Sequence, residues 1–325
     1  MIHAGIAGLG RWGQILVDSI QGRSEVIRVT AGCTGRKERA RHFCGQKAVD
    51  LRDSLDDLLS DPALDAIILA TPHSQHREQV IACAEAGKHV FIEKPFTLTK
   101  VDAEAAIAAC EKAGIVCAIG HNRRFLPSMK RLEEMTSGGE LGEVLHVEAA
   151  FHADGGLRYA PEHWRASEAE SPAGGMTGLG IHTIDALISL LGPISQVTAI
   201  SERRATPVPI DDVTFITLRF AGGATGYFST VFATPRDWRI QVLGDQGWAE
   251  MRGHERLTVK RRDMAFEDVQ VFDRVDIQKS ELEAFAEAAA GGAPYPIPWE
   301  DIVHATAVLE AVIKSGKTGE TIRLG

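Results

Sequence analysis

The tripeptide Glu93-Lys94-Pro95 ends the short apolar run Val90-Phe91-Ile92. Such a run reads as a buried parallel strand, and a proline cannot continue its hydrogen-bond ladder. Open parallel sheets hold their ligands beyond the carboxyl ends of the strands. A lysine there, with a carboxylate beside it, is a group for proton transfer or for polarising a substrate. The plain alternative is a solvated Glu-Lys pair at a strand end. A second candidate is His182, in the first turn of a helix expected over residues 180–191, with Asp185 one turn further on. Either the histidine faces a ligand and the aspartate orients it, or the histidine is buried and capped by that aspartate.

These groups need a frame. Residues 2–7 read as a strand, Gly8-Leu9-Gly10-Arg11-Trp12-Gly13 follows at once, and residues 14–20 carry helical spacing. Strand, G-x-G-x-x-G and helix in that order form a dinucleotide-binding pattern. The glycines permit a tight turn and close backbone approach, and the helix amino-terminus offers N–H groups to a pyrophosphate. After the second strand (26–31), an NAD site would carry an acid to hold the ribose 2′-hydroxyl. Here the segment reads Cys33-Thr34-Gly35-Arg36-Lys37. Thr34 and the planar fork of Arg36 suit a 2′-phosphate, so NADP is expected over NAD. The other reading is that Arg36 and Lys37 merely open a solvated helix.

Strand 66–70 runs into Thr71-Pro72-His73-Ser74-Gln75-His76, a loop expected to border the cofactor. His73 and His76 lack a third ligand, so no metal is expected. Helix 101–113 and strand 115–119 follow, leaving through Gly120-His121-Asn122-Arg123-Arg124-Phe125. The alternation predicts an α/β Rossmann domain over residues 1–122, a doubly wound parallel sheet.

From residue 144 onward short strands with period-two alternation predict a second, α+β domain over 123–325, built on an open-faced, mainly antiparallel sheet. A helix over 302–315 is expected to pack near the first domain. A long loop carries His152, Asp154, Arg158, Tyr159, His163, Trp164 and Arg165, and loops of that length are usually functional. Gly175 and Gly178 are expected to let the next helix approach another surface closely. The sheet's outer face would carry Phe215 or Ile216 and Tyr227 or Phe228, whichever parity points outward, which predicts a homodimer or homotetramer.

Composition sets the outer bounds. The chain has 325 residues, 44% of them hydrophobic and 24% charged, with a net charge of −9; nucleic acid is not an expected partner. Five cysteines without metal-ligand spacing suit a reducing cytosol. No apolar run reaches membrane-spanning length, and a strand starting at Ile2 leaves no room for a signal peptide.

Taken together and in order, Gly8–Gly13, Thr71–His76, Glu93-Lys94-Pro95, Gly120–Phe125 and Gly174-Gly175…Gly180-Ile181-His182-Thr183-Ile184-Asp185 resemble the glucose–fructose oxidoreductase/inositol dehydrogenase/rhizopine catabolism (Gfo/Idh/MocA) family over essentially the whole chain. The resemblance implies nicotinamide-dependent oxidation or reduction at a carbon bearing OH or C=O on a sugar, cyclitol or related ring diol. It implies Lys94 and His182 as catalytic residues. It implies cofactor contacts from Gly8, Gly10, Arg11, Trp12, Gly13, Thr34, Gly35, Arg36, Lys37, Ala70, Thr71, Pro72, His73, His76, Glu93, Lys94, Asn122, Arg123, Trp164 and Arg165. Substrate contacts are expected from Lys94, Arg123, His152, Arg158, Tyr159, His163, Arg165 and His182, with Arg158 and Arg165 suited to an anionic substrate. Many members carry an Asp four residues before the histidine, where this chain has Gly178. Two other classes stay open: a hydrolase or lyase that recycles hydride on bound NAD, and a non-catalytic cofactor sensor.

Overall fold

The computed structural model describes all 325 residues, and the chain divides into two compact units. The first joins Met1–Asn122 to Asp276–Ile302; the second joins Arg123–Val275 to Val303–Gly325.

In the first unit β1 (Ile2–Ala7) leads into α1 (Arg11–Ile20), and β2 (Ile27–Cys33) into α2 (Lys37–Lys47). Then come β3 (Asp50–Leu51), α3 (Leu55–Leu59), β4 (Ala66–Leu69), α4 (His76–Glu85), β5 (His89–Ile92), α5 (Lys100–Ala113) and β6 (Cys117–Ile119). The strands lie in the order β3-β2-β1-β4-β5-β6, all parallel. Helices cover both faces of such a sheet, which is why β4 is apolar and buried at every residue. The order turns back on itself between β1 and β4, and crevices at such points receive ligands.

The second unit begins with α6 (Pro127–Ser137) and β7 (Val144–His152). A π-helical turn, Met176–Gly180, then runs without a break into α7 (Ile181–Leu191). His182 lies in the first turn of α7, as expected, but that turn is preceded without a break by the π-helical turn. Strands β8 (Ile194–Glu202), β9 (Val213–Phe220), β10 (Thr225–Val231), β11 (Asp237–Gly244), β12 (Gly247–Arg252), β13 (Arg256–Arg261) and β14 (Asp268–Val271) follow. With β7, and with the terminal β15 (Ile322–Arg323), they make one nine-stranded sheet. Only β7 and β10 pair parallel. Along β9 Thr214, Ile216, Leu218 and Phe220 are buried while Phe215, Thr217 and Arg219 are exposed, as period-two alternation requires. The outward parity is thus that of Phe215 and Tyr227, whose rings meet at 6.0 Å.

Two helices depart from expectation. α8 (Ile277–Ala289), within the span expected of the second domain, belongs to the first unit. Its Leu282, Phe285 and Ala286 join the core formed by Ile6, Val29, Ile68 and Phe91. α9 (Trp299–Thr318) is longer than residues 302–315, and only its first turn lies in the first unit. There the Trp299 indole N–H donates to the Cys117 carbonyl. The rest belongs to the second unit: Ser315 Oγ accepts from the Ala199 N–H at 2.8 Å, and His304 Nε2 from the Ile194 N–H at 2.9 Å.

Candidate active site

The glycine turn after β1 is built partly for the fold and partly for a ligand. Gly8 has φ +99°, and a Cβ there would lie 2.3 Å from the Ala70 carbonyl oxygen; a Cβ on Gly13 would lie 2.0 Å from the Gly8 oxygen. Both positions exclude side chains because backbone meets backbone. Gly10 differs: a Cβ there would meet nothing within 4 Å. It caps α1 without any side-chain hydrogen bond, and the first turn carries no acid. The indole N–H of Trp12 is shielded from solvent and has no protein partner. Free helix N–H groups beside open space, with an orphaned donor nearby, fit a pyrophosphate.

At the end of β2, Arg36 is exposed, and no carboxylate lies within ion-pair distance of it. Lys37 is already engaged, by Asp53. Thr34 is half-buried. Next to them the Cys33 thiol is pushed up to about 11, chiefly by burial and then by Asp57, so it stays a neutral thiol.

The Thr71–His76 loop sits at the end of β4. Thr71 Oγ1 donates to Gln79 Oε1 at 2.5 Å. His76, expected at the cofactor, is fully buried instead. Its Nδ1 is 2.9 Å from the Pro95 carbonyl oxygen and its Nε2 is 3.2 Å from that of Thr71. It braces this loop against the turn that carries Lys94. The Lys94-Pro95 bond is cis. Glu93 is buried, accepts from the Lys94 N–H at 3.3 Å, and lies where a Cβ on Gly120 would come within 2.9 Å of its carboxylate. The sheet edge therefore presents Lys94 on a braced turn, with Glu93 folded back against the neighbouring strand end.

In the second unit, two consecutive arginines grip α7. Arg123 Nη1 lies 3.0 Å from His182 Nε2, both residues buried. Arg124 holds Asp185 through Nε at 3.0 Å and Nη2 at 2.7 Å. Asp185 is thus held by Arg124, one turn beyond His182 on α7. A guanidinium can only donate, so His182 Nε2 is the acceptor. The ring is neutral while that bond is made, and its proton sits on Nδ1. Arg123 also lies over the rings of Phe151, at 5.1 Å, and Trp238, at 5.6 Å. Trp238 in turn donates to Thr183 Oγ1 at 3.2 Å.

The long loop is ordered by ring stacking. Tyr159 stacks on His163 at 4.7 Å, His163 on Trp164 at 6.1 Å, and the Arg165 guanidinium lies 4.0 Å over Trp164. Burial raises the Tyr159 phenol above its usual range. His152 Nδ1 accepts from the Val231 N–H at 3.0 Å, and burial, opposed by Asp237, lowers its pKa. Arg158 is ion-paired with Asp154 on the surface. Gly175 is required as expected, since its Cβ would come 2.8 Å from Phe232. Gly178 is not: a Cβ there meets nothing within 4 Å. The tight positions are Gly174, with φ +51° against the Asp211 backbone, and Gly180 against Met176.

Residues 2–121 match the family described as "Oxidoreductase family, NAD-binding Rossmann fold", and residues 129–250 match the GFO/IDH/MocA C-terminal domain. A myo-inositol 2-dehydrogenase of Thermotoga maritima is 30% identical over 257 residues, 76% of this chain and 74% of its own. A 1,5-anhydro-D-fructose reductase of Ensifer adhaerens is 26% identical over 97% of this chain and 99% of its own. Among solved structures, an aldose-aldose oxidoreductase from Caulobacter crescentus complexed with glycerol superposes with a TM-score of 0.89 at 25% identity, covering 99% of each chain.

Proposed function

The chain belongs to the GFO/IDH/MocA oxidoreductase family, and we propose that it interconverts a secondary alcohol and a carbonyl on a sugar, cyclitol or related ring diol, with NADP preferred over NAD. The observation that carries this reading is Lys94, braced at the carboxyl edge of the parallel sheet by His76 and Glu93. The nicotinamide cofactor, when bound, supplies the hydride exchange. Gly8, Gly10, Gly13 and the amino end of α1 hold its pyrophosphate, and Trp12 offers a further donor. Lys94 Nζ takes the hydroxyl proton as the alcohol becomes a carbonyl, and returns it in the other direction. His182, fixed by Arg123, donates its Nδ1–H to a substrate oxygen. Tyr159, His163 and Arg165 border the substrate.

The test is a panel of sugars, cyclitols and ring diols with NADP⁺, followed at the nicotinamide absorbance band. Substrate-dependent reduction supports the reading. Substrate consumed without net absorbance change would instead identify an enzyme that recycles its hydride.

Cofactor choice is tested separately. Arg36→Ala should weaken NADP(H) binding by roughly 10- to 100-fold, the effect of losing a charge-assisted contact. NAD(H) binding should barely move. Equal weakening of both cofactors in a fluorescence titration would show that Arg36 never meets the 2′-phosphate.

We further propose a homo-oligomer, at least a dimer, packed through the outward face of the nine-stranded sheet. Phe215 and Ile200 are 39% and 61% exposed there, beside Tyr227. Self-complementary packing of two such faces removes that apolar area from water. Light scattering at micromolar concentration should give at least twice the single-chain mass, and Phe215→Glu should lower it.

A further inference from the structure

Around Arg123 lies a concentration of positive charge, and apart from Arg123 itself the proposed mechanism uses none of it. The guanidiniums of Arg123 and Arg236 both lie over the Phe151 ring, at 5.1 and 5.5 Å. The third arginine is Arg274, in the segment after β14. All three act on His254, which packs edge-on to Trp238 at 5.7 Å. Burial first, and then these three cations, push the His254 imidazole down to about 4, so it is neutral at physiological pH. Its Nε2 is shielded from solvent and has no partner in the protein.

Charges of like sign gathered on one aromatic ring repel one another, and a protein normally interleaves carboxylates among them. None does so for two of these arginines. Arg236 and Arg274 are exposed, and no Asp or Glu comes within ion-pair distance of either. The neighbouring Asp237 lies instead 4.0 Å from Arg239. A guanidinium fork matches the two oxygens of a carboxylate or phosphate, and a neutral imidazole can add one N–H donor.

We propose that Arg236, Arg274 and His254, with Arg123 at their edge, form an oxyanion subsite that selects substrates bearing a carboxylate or a phosphate. The proposal deepens the reading above and rests on it for the reaction, because Arg123 joins this subsite to His182. Arg158, paired with Asp154, has no part in it.

Two measurements test the subsite, the first independent of turnover. Malonate and inorganic phosphate are titrated into the full-length protein by calorimetry at constant ionic strength. Saturable binding is expected, weakened by roughly tenfold or more in Arg236→Gln and in Arg274→Gln. Arg203→Gln, which removes the same charge from the exposed loop after β8, should leave it unchanged. The stronger of the two ions identifies carboxylate or phosphate as the preferred group. Absence of saturable binding, or equal weakening in all three variants, overturns the subsite.

The second measurement compares D-glucuronate and D-glucose 6-phosphate with D-glucose as substrates. An anionic sugar should have the higher kcat/KM, and Arg236→Gln should raise its KM while leaving that of the neutral sugar alone. Binding of the ions with no preference for an anionic sugar overturns the selection of substrate by charge. Failure of every sugar and cyclitol to react overturns the hydride-transfer reading, while the calorimetry still decides the subsite.

Discussion

Replacing Lys94 with methionine is expected to lower turnover by roughly two to four orders of magnitude, the usual range for losing general acid–base catalysis. Methionine keeps most of the apolar stem but has no proton to give or take, so the loss reports chemistry and not packing. Cofactor affinity should change little, because the glycine turn and the amino end of α1 stand apart from the Lys94 side chain in role. His182→Ala should be damaging but milder. Arg123 donates into His182 Nε2 at 3.0 Å, so the imidazole cannot take up a second proton without breaking that bond. It is thereby restricted to donating through Nδ1, a hydrogen-bond contribution of roughly 10- to 100-fold. Steady-state rates on the best substrate, with NADPH binding measured by fluorescence in the same preparations, give the comparison. Near-normal turnover in Lys94→Met with cofactor still bound would move the proton to His182 and reverse these roles.

How far the chain could be read beforehand follows from what periodicity encodes. A run such as Ala66–Leu69, apolar at every residue, short and bounded by turn residues, reads as a strand covered on both faces, and the alternation of β9 fixes which residues face inward once one of them is known. The G-x-G-x-x-G turn is legible because backbone contacts at Gly8 and Gly13 forbid any side chain. Partners across the chain are another matter. His76 has the residue type and spacing of a ligand, yet its ring nitrogens face backbone carbonyls of Pro95 and Thr71, and no local pattern encodes that. Helix α8 carries an ordinary apolar face; that it covers Phe91, nearly two hundred residues away, is a tertiary fact. Arg236 and Arg274 lie far from any motif, and only the fold gathers them beside His254. The π-turn at Met176–Gly180 could have drawn attention, since Gly174, Gly175, Gly178 and Gly180 in so short a stretch are poor helix formers, but glycines alone do not distinguish a π-turn from a loop.

The same limit applies to Asp185, and the expected effect of removing it is the largest on stability. From spacing it looks like the orienting partner of His182; in the fold its carboxylate is held by Arg124 Nε and Nη2 at 3.0 and 2.7 Å. The side chains are 2% and 9% exposed. Asp185→Ala would leave the Arg124 guanidinium without this carboxylate in a site largely shielded from water, and breaking a buried pair in this way costs about 3–5 kcal/mol. Asp185→Asn, which keeps one acceptor oxygen, should cost less. Hydrogen exchange at the amides of α7 reads the loss locally, and a urea titration reads it for the chain as a whole. A double change, Arg124→Met with Asp185→Leu, should recover much of the stability, because no charge is then left buried alone. The double change should not recover turnover fully. Arg123 and Arg124 are adjacent, and the bidentate grip on Asp185 fixes α7 one turn beyond the His182 that Arg123 holds. A single Asp185→Ala variant that loses under about 1 kcal/mol would place this pair with the weak surface bridges and remove its role in positioning the histidine.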